Sequence, residues 1–141
     1  MNVDSLPLKQ TFNFSLDLNS SDHYILFNPN IFTLFHDNPF LNETRIADID
    51  FGYKDNFVIK GIYKLPGGYK VESLPKNAII TLPDKSIRFS RLLQEDDGYL
   101  TLYYEIKIDR SIFLSAEYPD LHDFYKRMFE MLNEQIVLKK S

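Results

Sequence analysis

The strongest constraint on the fold is a strict alternation of side chains across residues 100–108. Apolar or aromatic residues occupy every even position, and the odd positions hold threonine, tyrosine, glutamate and lysine. A period of two residues is typical of a β-strand with one buried and one solvated face. The preceding Asp96-Asp97-Gly98 is a common hairpin turn sequence. The sequence therefore predicts a β-hairpin whose second strand is half-buried.

Other segments have similar strand-like patterns. The clearest is Asn56–Leu65, where Gly61 in mid-strand indicates a bulge or a close backbone contact. The remaining predicted strands are Gln10–Leu18, Tyr24–Phe27, Arg45–Phe51, Tyr69–Leu74, Ala78–Leu82, Ser86–Leu93 and a final strand or apolar tail at 136–138. Short strands at roughly ten-residue spacing, separated by turn residues, favour a sandwich or a barrel.

Some shorter segments carry predictions of burial or turns. Tyr24–Phe27 is apolar at every position, which favours a strand buried on both faces. Residues 31–35 have the spacing of a single helical turn, and residues 19–22 read as a turn. Phe40 and Leu41 are expected to anchor the next loop by burial.

One amphipathic helix is predicted from Pro119 to about Asn133, because its apolar residues recur at helical spacing. Asp120 is the predicted N-cap. The helix is expected to cover an open edge or end of the sheet structure. The predicted fold is mainly β, an antiparallel β-sandwich (Ig-like or related) with one C-terminal amphipathic α-helix packed on it. Residues 1–141 are expected to form a single domain.

Composition argues against several classes of partner. The net charge is -4, from 16 basic and 20 acidic residues, whereas nucleic-acid binding favours a basic footprint. No run of lysine or arginine exceeds the pair Lys139-Lys140, which argues against an anionic membrane surface, and no apolar segment predicts membrane insertion. The chain has no cysteine, so disulfides, thiolate metal sites and a cysteine nucleophile are excluded.

The candidate catalytic and metal-binding residues form no recognised motif. His23, His36 and His122 each neighbour an aspartate, but adjacent side chains diverge on strands and helices, so adjacency alone should not make a dyad. Asp48, Asp50 and Asp55 could form a weak Ca²⁺ site, although carboxylates in this pattern are more often simply exposed to solvent. The sequence predicts no catalytic, cofactor-binding or metal-ligating residue, no cofactor, and no enzyme activity.

Two features remain as candidates for a turn and a binding surface. Leu65-Pro66-Gly67-Gly68-Tyr69 lacks phosphate-loop spacing and a following helix, so Gly67 and Gly68 are predicted to form a structural turn that tolerates no bulky replacement. On the strand with the clearest alternation, the outward row consists of Tyr99, Thr101 and Tyr103. This row either binds a ligand or partner, or lies beneath the helix.

The order of short motifs along the chain resembles a known family. The motifs are Asn38-Pro39-Phe40, Glu43-Thr44-Arg45, Asp48-Ile49-Asp50-Phe51-Gly52-Tyr53, Leu65-Pro66-Gly67-Gly68-Tyr69, Val71-Glu72-Ser73-Leu74-Pro75, the segment from Tyr118-Pro119 to Tyr125, and Val137-Leu138-Lys139-Lys140. Over residues 38–140 the chain is similar to the C-terminal domain of unknown function that follows the transglutaminase-like core in bacterial transglutaminase-like proteins.

The resemblance implies a non-catalytic accessory domain that docks in cis on an upstream transglutaminase-like core or helps to present a protein or cell-wall substrate. It also implies a segment of a larger periplasmic or extracellular protein. The family's catalytic cysteine has no counterpart here, so no catalytic residue is carried over. Two alternatives stay open: a sandwich or barrel that binds a small molecule or glycan, and a hydrolase with a carboxylate or histidine site assembled across the fold.

Overall fold

The computed structural model describes residues 8–15, 23–32 and 35–141, and within these ranges it contains nine strands and one α-helix. The strands are β1 (Tyr24–Phe27), β2 (Ile49–Asp50), β3 (Asp55–Lys64), β4 (Tyr69–Ser73), β5 (Ala78–Thr81), β6 (Ile87–Asp96), β7 (Tyr99–Ile108), β8 (Ile112–Phe113) and β9 (Ile136–Lys140). Helix α1 (Tyr118–Leu132) lies between β8 and β9 in the chain. The predicted mainly β, antiparallel fold with one late amphipathic helix is confirmed.

The largest sheet has four antiparallel strands in the order β3-β7-β6-β5. Strands β6 and β7 form the predicted hairpin, and its turn residues Asp97 and Gly98 have φ angles of 46° and 78°. Two successive positive φ angles are the geometry of a type I′ turn, whose twist suits a two-residue hairpin loop. The inward side chains of β7, at 100, 102, 104, 106 and 108, are all buried.

The glycine in the middle of β3 marks a close contact rather than a bulge. The pairing of β3 with β7 runs without a register shift, and Gly61 lies opposite Leu102. A Cβ atom at position 61 would lie 2.8 Å from Cε2 of Tyr63, which is too close for an unstrained contact. Gly61 therefore leaves room for the ring of Tyr63.

Two smaller antiparallel sheets complete the fold. One has the order β1-β9-β4, and the other is the short ribbon β2-β8. The segment predicted as a final strand or an apolar tail is strand β9, which lies between β1 and β4. The two larger sheets and α1 share one hydrophobic core, which is a sandwich-like arrangement.

Aromatic contacts fix the helix to the segments on either side of β2. The ring of Phe40 lies 4.7 Å from that of Tyr125 and 6.0 Å from that of Tyr118, both in edge-to-face geometry. The ring of Phe51 stacks on Tyr125 at 6.4 Å. Such pairs contribute about 0.5–1.5 kcal/mol each beyond the area that they bury. They tie the helix to segments that have little regular structure of their own.

One arginine lies in the buried face of the large sheet. Arg91 is 2% exposed, and its Nη1 donates to the carbonyl of Met131 at 2.7 Å. Its Nε and Nη2 donate to the carbonyl of Lys76 at 3.0 and 2.7 Å, and Nη2 also contacts Glu134 Oε2 at 3.1 Å. The cation thus bonds a carbonyl in the last turn of α1, where the helix dipole favours positive charge.

The helix starts slightly earlier than its predicted first residue. It begins at Tyr118, and Glu117 rather than Asp120 occupies the N-cap position. Pro119 is accommodated in the first turn, because an N–H there would have no intrahelical partner. Asp120 lies one residue further on, in the first turn, where its charge still complements the helix dipole.

Two predicted strands are wrong over much of their length. Residues 8–15 form no strand and their side chains are exposed. The rest of the predicted strand Gln10–Leu18 and the predicted turn at 19–22 lie outside the described residues. The strand predicted over Arg45–Phe51 is reduced to Ile49–Asp50. Alternation shows that a segment suits a strand, but the ladder also requires a partner in register.

Two predictions of burial are also wrong. Tyr24 and Leu26 are 38% and 53% exposed, so β1 buries one face and not two. Leu41 is 76% exposed, whereas its neighbour Phe40 is 5% exposed and enters the core as predicted. The helical turn predicted for residues 31–35 corresponds to a 3-10 turn at Pro29–Phe32, and residues 33–34 are not described.

Candidate functional site

The row Tyr99, Thr101 and Tyr103 lies on the outer face of β7, the face opposite the core. Tyr99 is 46% exposed, and the other two side chains are half-buried. The buried residues of α1 join the core on the inner face, so the helix does not cover this row. The three residues therefore share an accessible surface in the middle of a four-stranded sheet.

The neighbouring strands extend this outer face with large apolar side chains. In register with the row are Lys64, Ile62 and Lys60 on β3, and Asp96, Gln94 and Leu92 on β6. Four aliphatic residues of this face are at least half exposed: Val58 at 50%, Ile62 at 66%, Ile79 at 65% and Leu92 at 53%. The solvated face of an antiparallel sheet is usually polar, so these side chains suggest an interaction surface.

The charged groups of the outer face fall into paired and unpaired sets. Arg88 Nη2 contacts Glu105 Oε1 at 2.9 Å, and the hydroxyl of Tyr103 donates to Glu105 Oε2 at 3.0 Å. This hydrogen bond to a carboxylate raises the pKa of Tyr103, and burial raises it further by a smaller amount. Among the described residues, Lys60 and Lys64 form no ion pair. The β3 side of the face therefore carries free positive charge.

The sequence contained a signal for these additional residues. The alternation of β3 assigns Val58, Lys60, Ile62 and Lys64 to one face, and two of these four residues are aliphatic. A strand with apolar residues on both faces is either doubly buried or exposes an apolar surface. The sequence could not distinguish these cases, because it did not show that β3 lies at a sheet edge.

The Gly67-Gly68 segment forms a turn between β3 and β4. Gly68 has φ 82°, and the N–H of Tyr69 donates to the carbonyl of Pro66 at 3.2 Å. The carbonyl of Gly68 accepts from Ser141 N and Oγ at 2.8 and 2.9 Å. A Cβ at Gly67 would meet nothing within 4 Å, and its φ is not in the left-handed region. The expectation that both glycines resist replacement therefore applies on backbone grounds to Gly68, and not to Gly67.

A cleft of about 380 Å³ lies beside the end of β3. It is lined mainly by aromatic and aliphatic side chains: Phe12, Phe14, Phe27, Ile62, Tyr63, Leu65, Pro66, Leu100, Ile136 and Leu138, with Asn13, Ser15 and Lys64 as polar members. Tyr63 forms edge-to-face contacts with Phe27 at 5.1 Å and Phe14 at 6.0 Å between ring centroids. Burial raises the pKa of its hydroxyl. The volume lies within the range of ligand-binding clefts.

The histidines do not converge on one site. His23 and His36 are exposed, and His122 Nδ1 lies 3.5 Å from Asp123 Oδ1. The expectation that adjacency would not bring a histidine to its aspartate is thus wrong for His122. This aspartate is 79% exposed, so water competes for the contact. The pair lies on α1, away from the outer face of the sheet.

Each of the candidate calcium-binding aspartates accepts a hydrogen bond from a backbone N–H group. Asp48 Oδ1 accepts from Ser115 N at 2.7 Å, and Asp50 Oδ1 accepts from Gly52 N at 2.7 Å. Across the described ranges, no three histidine or acidic side chains are arranged to hold a metal ion. Over the same ranges, none of the helices is both long enough and apolar enough to span a membrane.

A second polar cluster, which the sequence did not single out, surrounds Arg110. Its Nη2 lies 2.6 Å from Glu117 Oε1 and 3.1 Å from Asp84 Oδ2, and its guanidinium lies over the ring of Phe113 at 4.2 Å. Hydrogen bonding to Arg110 holds the pKa of Glu117 below its usual value. The cluster joins the loop after β5 to the start of α1 and thereby supports the fold.

A known protein family matches most of the chain. Residues 22–138 match the family described as "Domain of Unknown Function with solved-structure structure" (DUF3858). Among curated proteins, none matches the chain.

The fold is also similar to part of a solved structure. This is the crystal structure, at 2.00 Å resolution, of a protein described as a "putative protease" from Parabacteroides distasonis. The two superimpose with a TM-score of 0.69 and 13% sequence identity over 85% of this chain. The chain corresponds to 24% of that longer protein. At this identity the likeness concerns the fold alone.

Proposed function

The chain belongs to the DUF3858 family, and on that premise we propose that it is a non-catalytic accessory domain that docks on a neighbouring domain. The docking surface is the outer face of the four-stranded sheet, with Tyr99, Thr101 and Tyr103 at its centre. The partner domain is a transglutaminase-like core in the same polypeptide, and the whole protein is periplasmic or extracellular.

The observation that carries the proposal is the exposure of large aliphatic side chains on this face. Ile62, Ile79 and Leu92 are each more than half exposed. Ile62 pairs with Thr101 and Leu92 with Tyr103, and Ile79 lies on the same face opposite Ser90. Docking would remove these side chains from water, at about 25 cal/mol per Å² of apolar area. Interfaces between domains of one chain are commonly formed by such mixed apolar and polar surfaces.

The charges of the face indicate the chemistry of the partner surface. Lys60 and Lys64 project from this face without an ion pair among the described residues, although the chain has a net charge of -4. A partner with carboxylates opposite β3 would complement them, and such complementarity fixes orientation and increases association rate. The proposed partner surface is therefore apolar at its centre and acidic along one side.

The similar crystal structure supports a role within a larger protein. A domain of this fold makes up 24% of that chain, so the fold occurs beside other domains in one polypeptide. The resemblance in sequence motifs suggests that the neighbour here is a transglutaminase-like core. This chain has no cysteine, so the catalytic thiol of such a core would lie in the neighbouring domain.

The test uses the transglutaminase-like core encoded upstream of this segment in the same reading frame, expressed separately. Calorimetric titration with this chain is expected to give saturable binding, and Leu92→Asp is expected to weaken it by about tenfold or more, since a buried unpaired charge is costly. Leu26→Asp is the matched control, because Leu26 is equally exposed at 53% but lies on the other large sheet. Equal weakening by both changes would refute this docking face. The absence of an upstream core, or no binding at about 100 μM, would refute the accessory role.

A further inference from the structure

The long edge strand β3 has backbone groups that face away from its sheet. The order β3-β7-β6-β5 gives β3 a sheet partner on one side. The N–H of Leu65 donates to the carbonyl of Gly98 at 2.8 Å, in continuation of the pairing of Lys64 with Tyr99. In an antiparallel pair, alternate residues bond to the partner strand. The N–H and C=O groups of Ile62 and Lys64 therefore point to the open edge.

The cleft follows this open edge. Its lining includes Ile62 and Lys64, whose side chains belong to the outer face, and Tyr63 and Leu65, whose side chains belong to the inner face. A cavity lined by both faces of an edge strand lies where the next strand of the sheet would be placed, about 4.8 Å away. The segment Phe12–Ser15 forms the opposite wall.

We propose that this cleft is a strand-addition site, which binds an extended peptide with apolar side chains at alternate positions and polar or acidic side chains between them. The peptide pairs with the backbone of Ile62 and Lys64. Its apolar side chains contact Tyr63 and Phe27 on the inner side. Its polar side chains lie on the outer side, where Lys64 favours a carboxylate. The cleft shares Ile62 and Lys64 with the docking face, but strand addition uses the backbone edge of β3 and does not depend on docking.

A segment of the chain itself lies against this edge and suggests the kind of peptide that it would accept. Phe14 contacts Tyr63 from the opposite wall at 6.0 Å, yet Phe14 and Phe12 remain 47% and 73% exposed. The sequence around them, residues 11–18, reads TFNFSLDL, in which apolar residues alternate with polar ones and an aspartate. A peptide of this type that pairs with β3 would take the place of Phe14 against Tyr63 and complete the ladder.

The two edges of the sheet are protected to different extents. β5 is only four residues long, and short edge strands offer little backbone for pairing. β3 has ten residues, with Lys60 and Lys64 set among the aliphatic Val58 and Ile62. Lysines on an edge oppose pairing with wholly apolar strands. They leave pairing open to strands that carry carboxylates, which is the specificity proposed here.

The probe is a fluorescein-labelled peptide with the sequence TFNFSLDL, titrated against the full chain carrying Phe12→Ser and Phe14→Ser. These changes remove the competing rings, and thermal unfolding verifies that the chain stays folded. Fluorescence anisotropy is expected to show saturable binding. A peptide of the same composition with its apolar residues grouped at one end is expected to bind about tenfold more weakly. Equal binding of the two peptides would overturn the proposal and indicate a non-specific apolar cavity, such as a small-molecule site.

Proline substitutions test the pairing directly. Ile62→Pro removes an N–H that faces the cleft and none that bonds to β7, so binding is expected to fall about tenfold while folding persists. Val58→Pro makes the same change on the same edge, outside the cleft lining, and is expected to leave binding intact. Equal effects of the two prolines, or none from either, would refute strand addition.

Hydrogen exchange on the unsubstituted chain gives an independent result. Saturating peptide is expected to protect the amides of Ile62 and Lys64, and to leave those of Tyr63 and Leu65 unchanged because they already bond to β7. Protection without this alternation would refute the proposed pairing. Leu92→Asp, on the docking face, should not alter peptide binding, so this proposal and the docking proposal can fail separately.

Discussion

The two faces of strand β7 lie in different surroundings although they share one backbone. On the inner face, Leu100 and Leu102 are 1% exposed and pack in the core. On the outer face, Tyr99 is 46% exposed, and the next residues of the row, Thr101 and Tyr103, lie opposite the exposed Ile62 of β3 and Leu92 of β6. The inner face accounts for folding. The apolar residues of the outer face add nothing to that core, and this is why we attribute them to a partner.

The largest contrast is expected between two leucines on opposite faces. Leu102 is 1% exposed and Leu92 is 53% exposed. Leu102→Ala should lower the free energy of unfolding by about 2–5 kcal/mol, since it removes core contacts and leaves a cavity. Leu92→Ala should change it by less than about 0.5 kcal/mol. Denaturant unfolding at equilibrium measures both, and similar losses would show that the outer face already contributes to folding.

A smaller contrast is expected between two arginines of β6. Arg91→Met leaves the carbonyls of Lys76 and Met131 without their buried donor, and should cost about 2–3 kcal/mol of unfolding free energy. Arg88→Met removes only the ion pair with Glu105, in which Arg88 is 46% exposed, and should cost less than about 1 kcal/mol. Thermal unfolding compares them. A cost for Arg88→Met as large as that for Arg91→Met would contradict the assignment of the two faces.

The smallest contrast concerns the adjacent tyrosines. The hydroxyl of Tyr104 is buried and has no hydrogen-bond partner among the described residues, and burial raises its pKa to about 12. Tyr104→Phe should therefore leave the unfolding free energy at neutral pH unchanged or raise it by up to about 1 kcal/mol. Tyr103→Phe loses the bond to Glu105 and should lower it by about 0.5–1 kcal/mol.

The pH dependence of stability distinguishes these tyrosines further. Because the folded-state pKa of Tyr104 is raised, the stability linked to its protonated form is fully present below the unfolded pKa near 10. That stability is lost as pH rises through about 12. Tyr104→Phe should reduce the loss of stability between pH 10 and about 12. The pKa of Tyr125 is also raised to about 12, so Tyr125 should account for part of the loss that remains. An unchanged alkaline profile for Tyr104→Phe would show that its hydroxyl is not shielded from water.

The sequence predicted the elements whose signals are local. The alternation of β7, the turn at Asp97-Gly98 and the apolar stripe of α1 each depend on a few neighbouring residues, and each was located within one or two positions. The predicted start of α1 differs from the observed start because Pro119 and Asp120 suit the first turn of a helix as well as they suit the positions before it.

Features that depend on distant partners could not be predicted. Nothing local shows that β9 lies between β1 and β4, or that residues 8–15 form no strand. Arg91 has the same parity as Ile87 and Phe89, which agrees with its inward direction, but the sequence does not indicate the backbone carbonyls to which it donates. The row Tyr99, Thr101 and Tyr103 was identified from alternation alone. The apolar extent of its surroundings required the register with β3 and β6.

The central position of β9 has a consequence for the protein during its synthesis. Strands β1 and β4 both pair with residues 136–140, which leave the ribosome long after β1 and β4 themselves. Until then, Ile25 and Phe27 have no sheet to join, although the hairpin β6-β7 can already form. A nascent chain stalled before Ile136 should therefore expose apolar surface and attract chaperones, while its larger sheet is assembled.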